Sequence, residues 1–295
     1  MNTDFHRCPS VLIAGCGYVG RVAAELFHRA GWQVAGVTRS EESAKNLAGG
    51  PWRVVACDIS DRAAVEANLR EFAGIDWMVD CVSAGGGGAE EYRRAYFDGA
   101  RNLLERLQPK HFVFTGSTSV FAQTDGLVVD EQSAAEPQSE TAKILRETED
   151  LVLAHGGIVA RLAGIYGPDR WTTLRRFLDG TATLDGDGGR FMNWIHRDDA
   201  AGAIVHLATH DATPGIYNVA DDAPVTQRAF YEWLAAHFQK PLPASGPVDT
   251  SRKRGSTNKR VSNAKLRKLG WSPRYPSFSE AMGKSVLSSF QILDS

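Results

Sequence analysis

The chain has 295 residues, enough to bury one large core or two modest ones. Its 33 basic and 35 acidic side chains leave a formal charge of −2, so charge gives no reason to expect nucleic acid or an anionic membrane as the main partner. The one basic cluster, Arg252-Lys253-Arg254 with Lys259 and Arg260, reads as a solvated loop or, alternatively, as a contact for a phosphate-bearing substrate.

Met1 to Pro9 is polar, so no signal-peptide core is expected, and no apolar run approaches the roughly 20 residues that span a bilayer. A soluble, cytoplasmic protein is the expectation. Val11 to Ala14 follows as a continuous apolar run, the pattern of a central parallel strand covered on both faces. Val19 to Ala30 has helical periodicity through Val22 and Leu26, and Gly31 supplies the stop. Further strands are predicted at Trp32 to Val37, Trp52 to Ala56, Trp77 to Val82, Phe112 to Thr115 and Ile158 to Leu162. Helices lie between them, most clearly at Tyr92 to Leu107 and Glu140 to His155. This alternation means right-handed βαβ units and an α/β fold, a Rossmann-type doubly wound parallel sheet. Cys8, Cys16, Cys57 and Cys81 lie far apart, and no Cys/His spacing suits a metal; buried thiols in a reducing compartment are expected.

After Gly164 the texture changes. Predicted pieces are a helix from Asp199 to Thr209, a seventh strand at Ile216 to Val219, a helix at Phe230 to Phe238 and a short one at Asn263 to Leu269. Such fragments cannot each own a core. The expected division is a dinucleotide-binding domain of residues 8–163 plus 197–222 and a small substrate lobe of 164–196 plus 223–295.

Chemistry is densest at Gly15-Cys16-Gly17-Tyr18-Val19-Gly20, a G-x-G-x-x-G turn between a buried strand and a helix. Gly15 permits the tight turn, Gly17 lets backbone N–H groups approach a pyrophosphate, and Gly20 lets helix pack on strand. A dinucleotide is the expected ligand. At the end of the second strand, where an acid usually takes the ribose 2′-hydroxyl of NAD, stands Thr38-Arg39-Ser40. A guanidinium between two hydroxyls suits a 2′-phosphate, which favours NADP over NAD; alternatively, Glu41 or Glu42 reaches the ribose. Asp58, with Ile59 beside it, is placed to meet the adenine amino group, or the group Asp58 to Asp61 caps a helix. Ser83-Ala84-Gly85, opening a run of four glycines, is a further cofactor contact.

These stretches resemble the extended short-chain dehydrogenase/reductases of the NAD-dependent epimerase/dehydratase type, in an atypical form. The resemblance rests also on Gly99 to Leu104, Phe112 to Phe121, Arg161 to Pro168, Asn193 to Asp199, Tyr217 to Asp221 and Leu269 to Pro273. It implies that Ser117, with Thr118, meets a substrate oxygen, and that Lys143 holds the nicotinamide ribose and lowers the pKa of a tyrosine four residues earlier. That position is Ser139. An aliphatic hydroxyl starts far above the phenol pKa near 10 and makes a poor proton shuttle, though Ser139 also suits a helix N-cap. Tyr166 is the best placed substitute, ahead of Tyr92 and Tyr96. His196 and Arg197 are candidate substrate contacts; alternatively, His196 fills a junction, with Asp198 or Asp199 capping the next helix. The expectation is an NAD(P)-dependent epimerase-like oxidoreductase for a small hydroxylated or carbonyl substrate, nucleotide sugars included. The alternative is a non-catalytic redox-sensing NAD(P)-binding protein. No metal is expected, and a homodimer through the helices from Tyr92 and Glu140 is an open option.

Overall fold

The computed structural model describes residues 8–210, 212–248 and 257–287, so the run Arg252-Lys253-Arg254 lies outside the described residues. Seven strands form the central sheet: β1 (Ser10–Ala14), β2 (Gln33–Thr38), β3 (Arg53–Ala56), β4 (Trp77–Asp80), β5 (His111–Ser117), β6 (Ile158–Leu162) and β7 (Gly215–Val219). Their order is β7-β6-β5-β4-β1-β2-β3, and the sheet is parallel, with Leu12 opposite Ala35 on one side and Met78 on the other. Val11 to Ala14 have no exposed surface, which is why this run is continuously apolar after Ser10. The chain winds outward from β1 to β3, returns to β4 beside β1, and winds outward the other way. This reversal opens the sheet between the carboxyl ends of β1 and β4.

The helices of this half are α1 (Gly20–Arg29), α2 (Glu41–Leu47), α3 (Arg62–Asn68), α4 (Ala89–Tyr92), α5 (Gly99–Leu107) and α6 (Glu140–Ala154). Between α4 and α5 the backbone continues as a π-helical segment, Arg93–Asp98, so the helix expected from Tyr92 begins three residues earlier and carries an inserted wider turn. β4 stops at Asp80 rather than Val82, because the Val82 N–H leaves the ladder to donate to the Asp80 carboxylate at 3.1 Å. A helix expected to start at Asp199 starts at Arg197.

The chain divides into two compact units, one of residues 1–116, 140–160 and 201–216, the other of 117–139, 161–200 and 217–295. Relative to the expected division, residues 117–139, 161–163, 197–200 and 217–222 fall in the second unit. The second unit holds four two-stranded pairs, among them Gly164–Tyr166 parallel to Trp194–His196 and Phe191–Met192 antiparallel to Val225–Thr226. Its fragments share one aromatic-rich core that includes Tyr166, Phe177, Phe230, Leu234, Phe278 and Met282. No helix among the described residues is long and apolar enough to cross a membrane.

Candidate dinucleotide site and catalytic positions

The Gly15–Gly20 turn joins β1 to α1. Gly15 has φ +78°, and a Cβ there would lie 2.6 Å from the Cys81 carbonyl carbon. A Cβ on Gly20 would lie 2.3 Å from the Gly15 carbonyl oxygen. Those two glycines are therefore required by the protein's own backbone. Gly17 is not: its Cβ would come no nearer than 4.0 Å to any atom outside its neighbours. α1 begins without a side-chain cap and with no acid in its first turn, which leaves the positive end of its dipole unopposed by a side chain. A cradle with spare room at Gly17, at the positive end of an uncapped helix, fits a pyrophosphate. Cys16 is buried within the turn, and burial pushes its thiol up to about 11, so it stays protonated. Tyr18 and Val19 complete the turn, with Val19 buried.

At the end of β2 the three candidate residues do different things. Thr38 donates its hydroxyl to the Ser40 carbonyl at 3.3 Å, and Ser40 caps α2 by accepting the Ser43 N–H at 3.2 Å. Arg39 is exposed and makes no hydrogen bond or ion pair among the described residues. Beyond β3, Asp61 caps α3 by accepting from Ala63 and Ala64, whereas Asp58 accepts from the Ser60 N–H and hydroxyl and meets Arg94 at 3.5 Å. Ile59 is buried and packs where a Cβ on Gly99 would fall.

Beyond β4 the chain turns through Ser83, Ala84 and Gly85, and three successive glycines, Gly85, Gly86 and Gly87, have positive φ. The Ala84 N–H donates to the Tyr96 hydroxyl at 3.4 Å, and the Gly85 N–H to the Ser83 hydroxyl at 3.3 Å. Tyr96 comes from the π-helical segment and is half-buried. Below it Asp80 is almost fully buried, with Oδ2 lacking any hydrogen-bond partner among the described residues. Burial raises its carboxyl to about 7, against the opposing hydrogen bond from Val82. The sequence reading missed Asp80. Its signal was an acid inside the otherwise apolar run Trp77 to Val82.

Lys143, on α6 in the first unit, is exposed and pairs with Glu140 at 2.7 Å. The same face carries Glu147, one turn on, which pairs with Arg93 at 2.7 Å. Ser117, in the second unit, accepts the Ser119 N–H at 3.2 Å and is half-buried, while Thr118 beside it is buried. Ser139 is exposed and immediately precedes the first residue of α6, the N-cap position.

The remaining candidates lie in the second unit. Tyr166 is buried with its ring edge-on to Trp194 and His196, both at 5.6 Å. Its hydroxyl is enclosed without a hydrogen-bond partner among the described residues, and burial with nearby Asp221 and Asp199 drives its pKa far up. A phenol so placed keeps its proton. His196 is fully buried: Nδ1 accepts the Asp198 N–H at 3.2 Å, which leaves Nε2–H to donate to the Ser285 hydroxyl at 3.1 Å. Burial lowers its pKa to about 4, with Asp198 opposing, so the imidazole is neutral. Arg197 pairs with Asp198 at 2.8 Å. Asp199 does not cap the helix as expected; its carboxylate accepts the Arg274 and Tyr275 N–H groups at 2.6 and 3.0 Å.

Known proteins resemble this chain over nearly its whole length. Protein YeeZ of Escherichia coli is 28% identical over 280 residues, covering 90% of this chain and 96% of that protein. A 3-diazoavenalumate denitrifying reductase of a Streptomyces species is 26% identical, covering 93% and 99%. A solved NAD-dependent epimerase/dehydratase-type structure from Methylobacillus flagellatus superposes with TM-score 0.80 at 26% identity, over 97% of this chain and all of that one. The family model for NAD-dependent epimerases and dehydratases matches residues 11–220, the stretch that carries the glycine turn, Ser117, Lys143 and β7, and the chain belongs to that family.

Proposed function

We propose that this chain is an NADP-preferring oxidoreductase that reduces a small carbonyl compound or oxidises the corresponding alcohol. The observation that carries the reading is Gly17, a glycine that nothing in the protein's own packing requires, beside the uncapped start of α1. Exposed Arg39 supplies the charge that a 2′-phosphate needs, and α2 begins right after it with the capping Ser40. Asp58, Ile59, Ser83, Ala84 and Gly85 line the rest of the dinucleotide, and Lys143 binds the nicotinamide ribose. When bound, the nicotinamide supplies or accepts the hydride. Ser117 and Thr118 hold the substrate oxygen, with His196 and Arg197 contributing to the substrate side. The enclosed hydroxyl of Tyr166 leaves that residue to pack the second unit. The Streptomyces relative carries the name of a reductase, which supports a net hydride transfer over a reversible epimerisation.

A second reading is favoured by one residue. Ser139 lacks the phenol that such chemistry ordinarily uses, which fits a redox-sensing binder with no turnover. Fluorescence titration with NADPH and NADH, followed by NADPH oxidation across aldehydes, quinones and nucleotide sugars, separates the two. NADPH oxidation lost in Ser117→Ala and Lys143→Ala supports the enzyme. Tight binding without turnover on every probe leaves the sensor.

A further inference from the structure

Hydride addition to a carbonyl leaves an oxyanion that must take a proton, and Ser139 is a poor source of one. One tyrosine has its hydroxyl at the place where the sheet topology puts a ligand. The strand order reverses between β1 and β4, so a ligand of this fold lies outside the carboxyl ends of those two strands. Ser83 and Ala84 lie in the turn that leaves β4, and the Tyr96 oxygen accepts the Ala84 N–H at 3.4 Å, with the Ser83 side chain close enough to favour the phenolate. With that bond received, its own proton is left to give away, and the Ala84 N–H remains to stabilise a phenolate.

The ring is held firmly. Tyr92 packs against it at 5.1 Å, and Phe114 meets it nearly edge-on at 6.2 Å. The inserted π turn sets which way position 96 faces, since an extra residue rotates everything before it relative to α5. α6 is fixed alongside by Arg93 and Glu147, which turns the face bearing Lys143 toward this helix. The titratable groups that face the phenol are Tyr92 and Asp80, while Lys143 and Glu147 on α6 pair with Glu140 and Arg93.

We propose that Tyr96 is the proton donor of the reaction, doing the work for which position 139 has no phenol. The inference rests on the oxidoreductase reading above. In the reductive direction the carbonyl carbon accepts hydride, with its electron pair, from a reduced nicotinamide dinucleotide. The C=O π pair moves onto oxygen, which takes the Tyr96 proton. The products are the alcohol, oxidised dinucleotide and a Tyr96 phenolate, which regains its proton from water. Burial holds the phenol above its ordinary pKa, so it is fully protonated at neutral pH. It is still a far stronger acid than the alcohol it forms.

The deciding measurement does not need turnover. Protein labelled with 13Cζ-tyrosine is titrated by NMR free, with NADP+ and with NADPH, the Tyr96 signal being identified by its loss in Tyr96→Phe. A positive nicotinamide ring beside the phenol should lower its midpoint by about one unit or more with NADP+, and not with NADPH. An unchanged midpoint with NADP+ demonstrably bound overturns the proposal. Turnover of 4-nitrobenzaldehyde with NADPH gives the second arm: Tyr96→Phe should lower kcat by about 10²–10⁴-fold with KM for NADPH little changed, and Ser139→Tyr in that background should restore part of it. Wild-type kcat in a folded Tyr96→Phe overturns the assignment. If that variant fails to fold, 3-fluorotyrosine at position 96 replaces it, and the kcat pH profile should move down with the more acidic phenol; an unmoved profile overturns the assignment. Absence of wild-type turnover on all probes sinks the oxidoreductase reading instead, and the titration still decides whether Tyr96 faces the nicotinamide.

Discussion

Two glycines of one turn should respond in opposite ways to the same added methyl group. In Gly20→Ala the new Cβ falls 2.3 Å from a backbone oxygen and 3.2 Å from the Ile13 side chain, so the start of α1 must move. Overpacking of this kind costs about 1–3 kcal/mol. At about 2–4 °C per kcal/mol for a large domain, Tm of the ligand-free protein should fall by roughly 2–12 °C. In Gly17→Ala the methyl has open space, with no contact nearer than 4.0 Å. Ligand-free Tm should stay within about 2 °C of wild type, because surface changes of this kind are usually within about 0.5 kcal/mol. The difference appears on adding NADPH. At about 100 times Kd a ligand stabilises by about 2.7 kcal/mol, a rise of roughly 5–10 °C in wild type. Gly17→Ala should lose most of that rise, since its methyl occupies the space left for the phosphates. Differential scanning fluorimetry with and without NADPH reads all three proteins. A Gly17→Ala variant that keeps the full NADPH shift, or one that is itself destabilised by several degrees, would refute the assignment of roles within the turn.

Two further outcomes follow from named side chains. Arg39→Ala should weaken NADPH binding by about 10–150-fold, the value of a charge-assisted contact of about 1.5–3 kcal/mol, and leave NADH within about threefold; equal losses for both, measured by fluorescence titration, would remove Arg39 from the 2′-phosphate site. Asp80, raised in the folded state to about 7 from 3.8, binds its proton more tightly folded than unfolded, so its share of stability is complete below pH 4 and declines as pH rises through 7. Tm should therefore fall in wild type between pH 5 and about 8.5 more steeply than in Asp80→Asn, by the equivalent of a few kcal/mol at most; parallel profiles would mean that the carboxyl titrates normally.

The sheet was legible in the sequence because its signal is local. A strand buried on both faces is mostly apolar, and β1 and β6 fall at Ser10–Ala14 and Ile158–Leu162, against expected runs at Val11 to Ala14 and Ile158 to Leu162, with the buried Arg161 as the exception in β6. The roles of Gly15 and Gly20 were legible for the same reason, each set by atoms a few residues away or on the next strand. What was hidden depended on partners remote in sequence. Asp199 reads as a helix cap until residues 274 and 275 donate to it from far down the chain. Tyr96 reads as one aromatic among several on a helix, because a π turn leaves no periodicity to find and its Ala84 partner lies on a glycine loop. The short strand pairs of the second unit are too brief to show a period of two, and only their shared core holds them.

The two compact units are interleaved along the chain, which passes from one to the other five times, after residues 116, 139, 160, 200 and 216. Neither can be excised as a single stretch. During synthesis the first unit lacks its last segment until residue 216 has emerged, by which time most of the second unit's earlier pieces are already waiting for residues 217–295. Completion of the second unit is therefore a late event, reached only when residues 217–295 arrive. A truncation between β5 and residue 216 would leave two unfinished bodies rather than one finished one. Dividing the protein for separate study would take a circularly rearranged chain, not a cut.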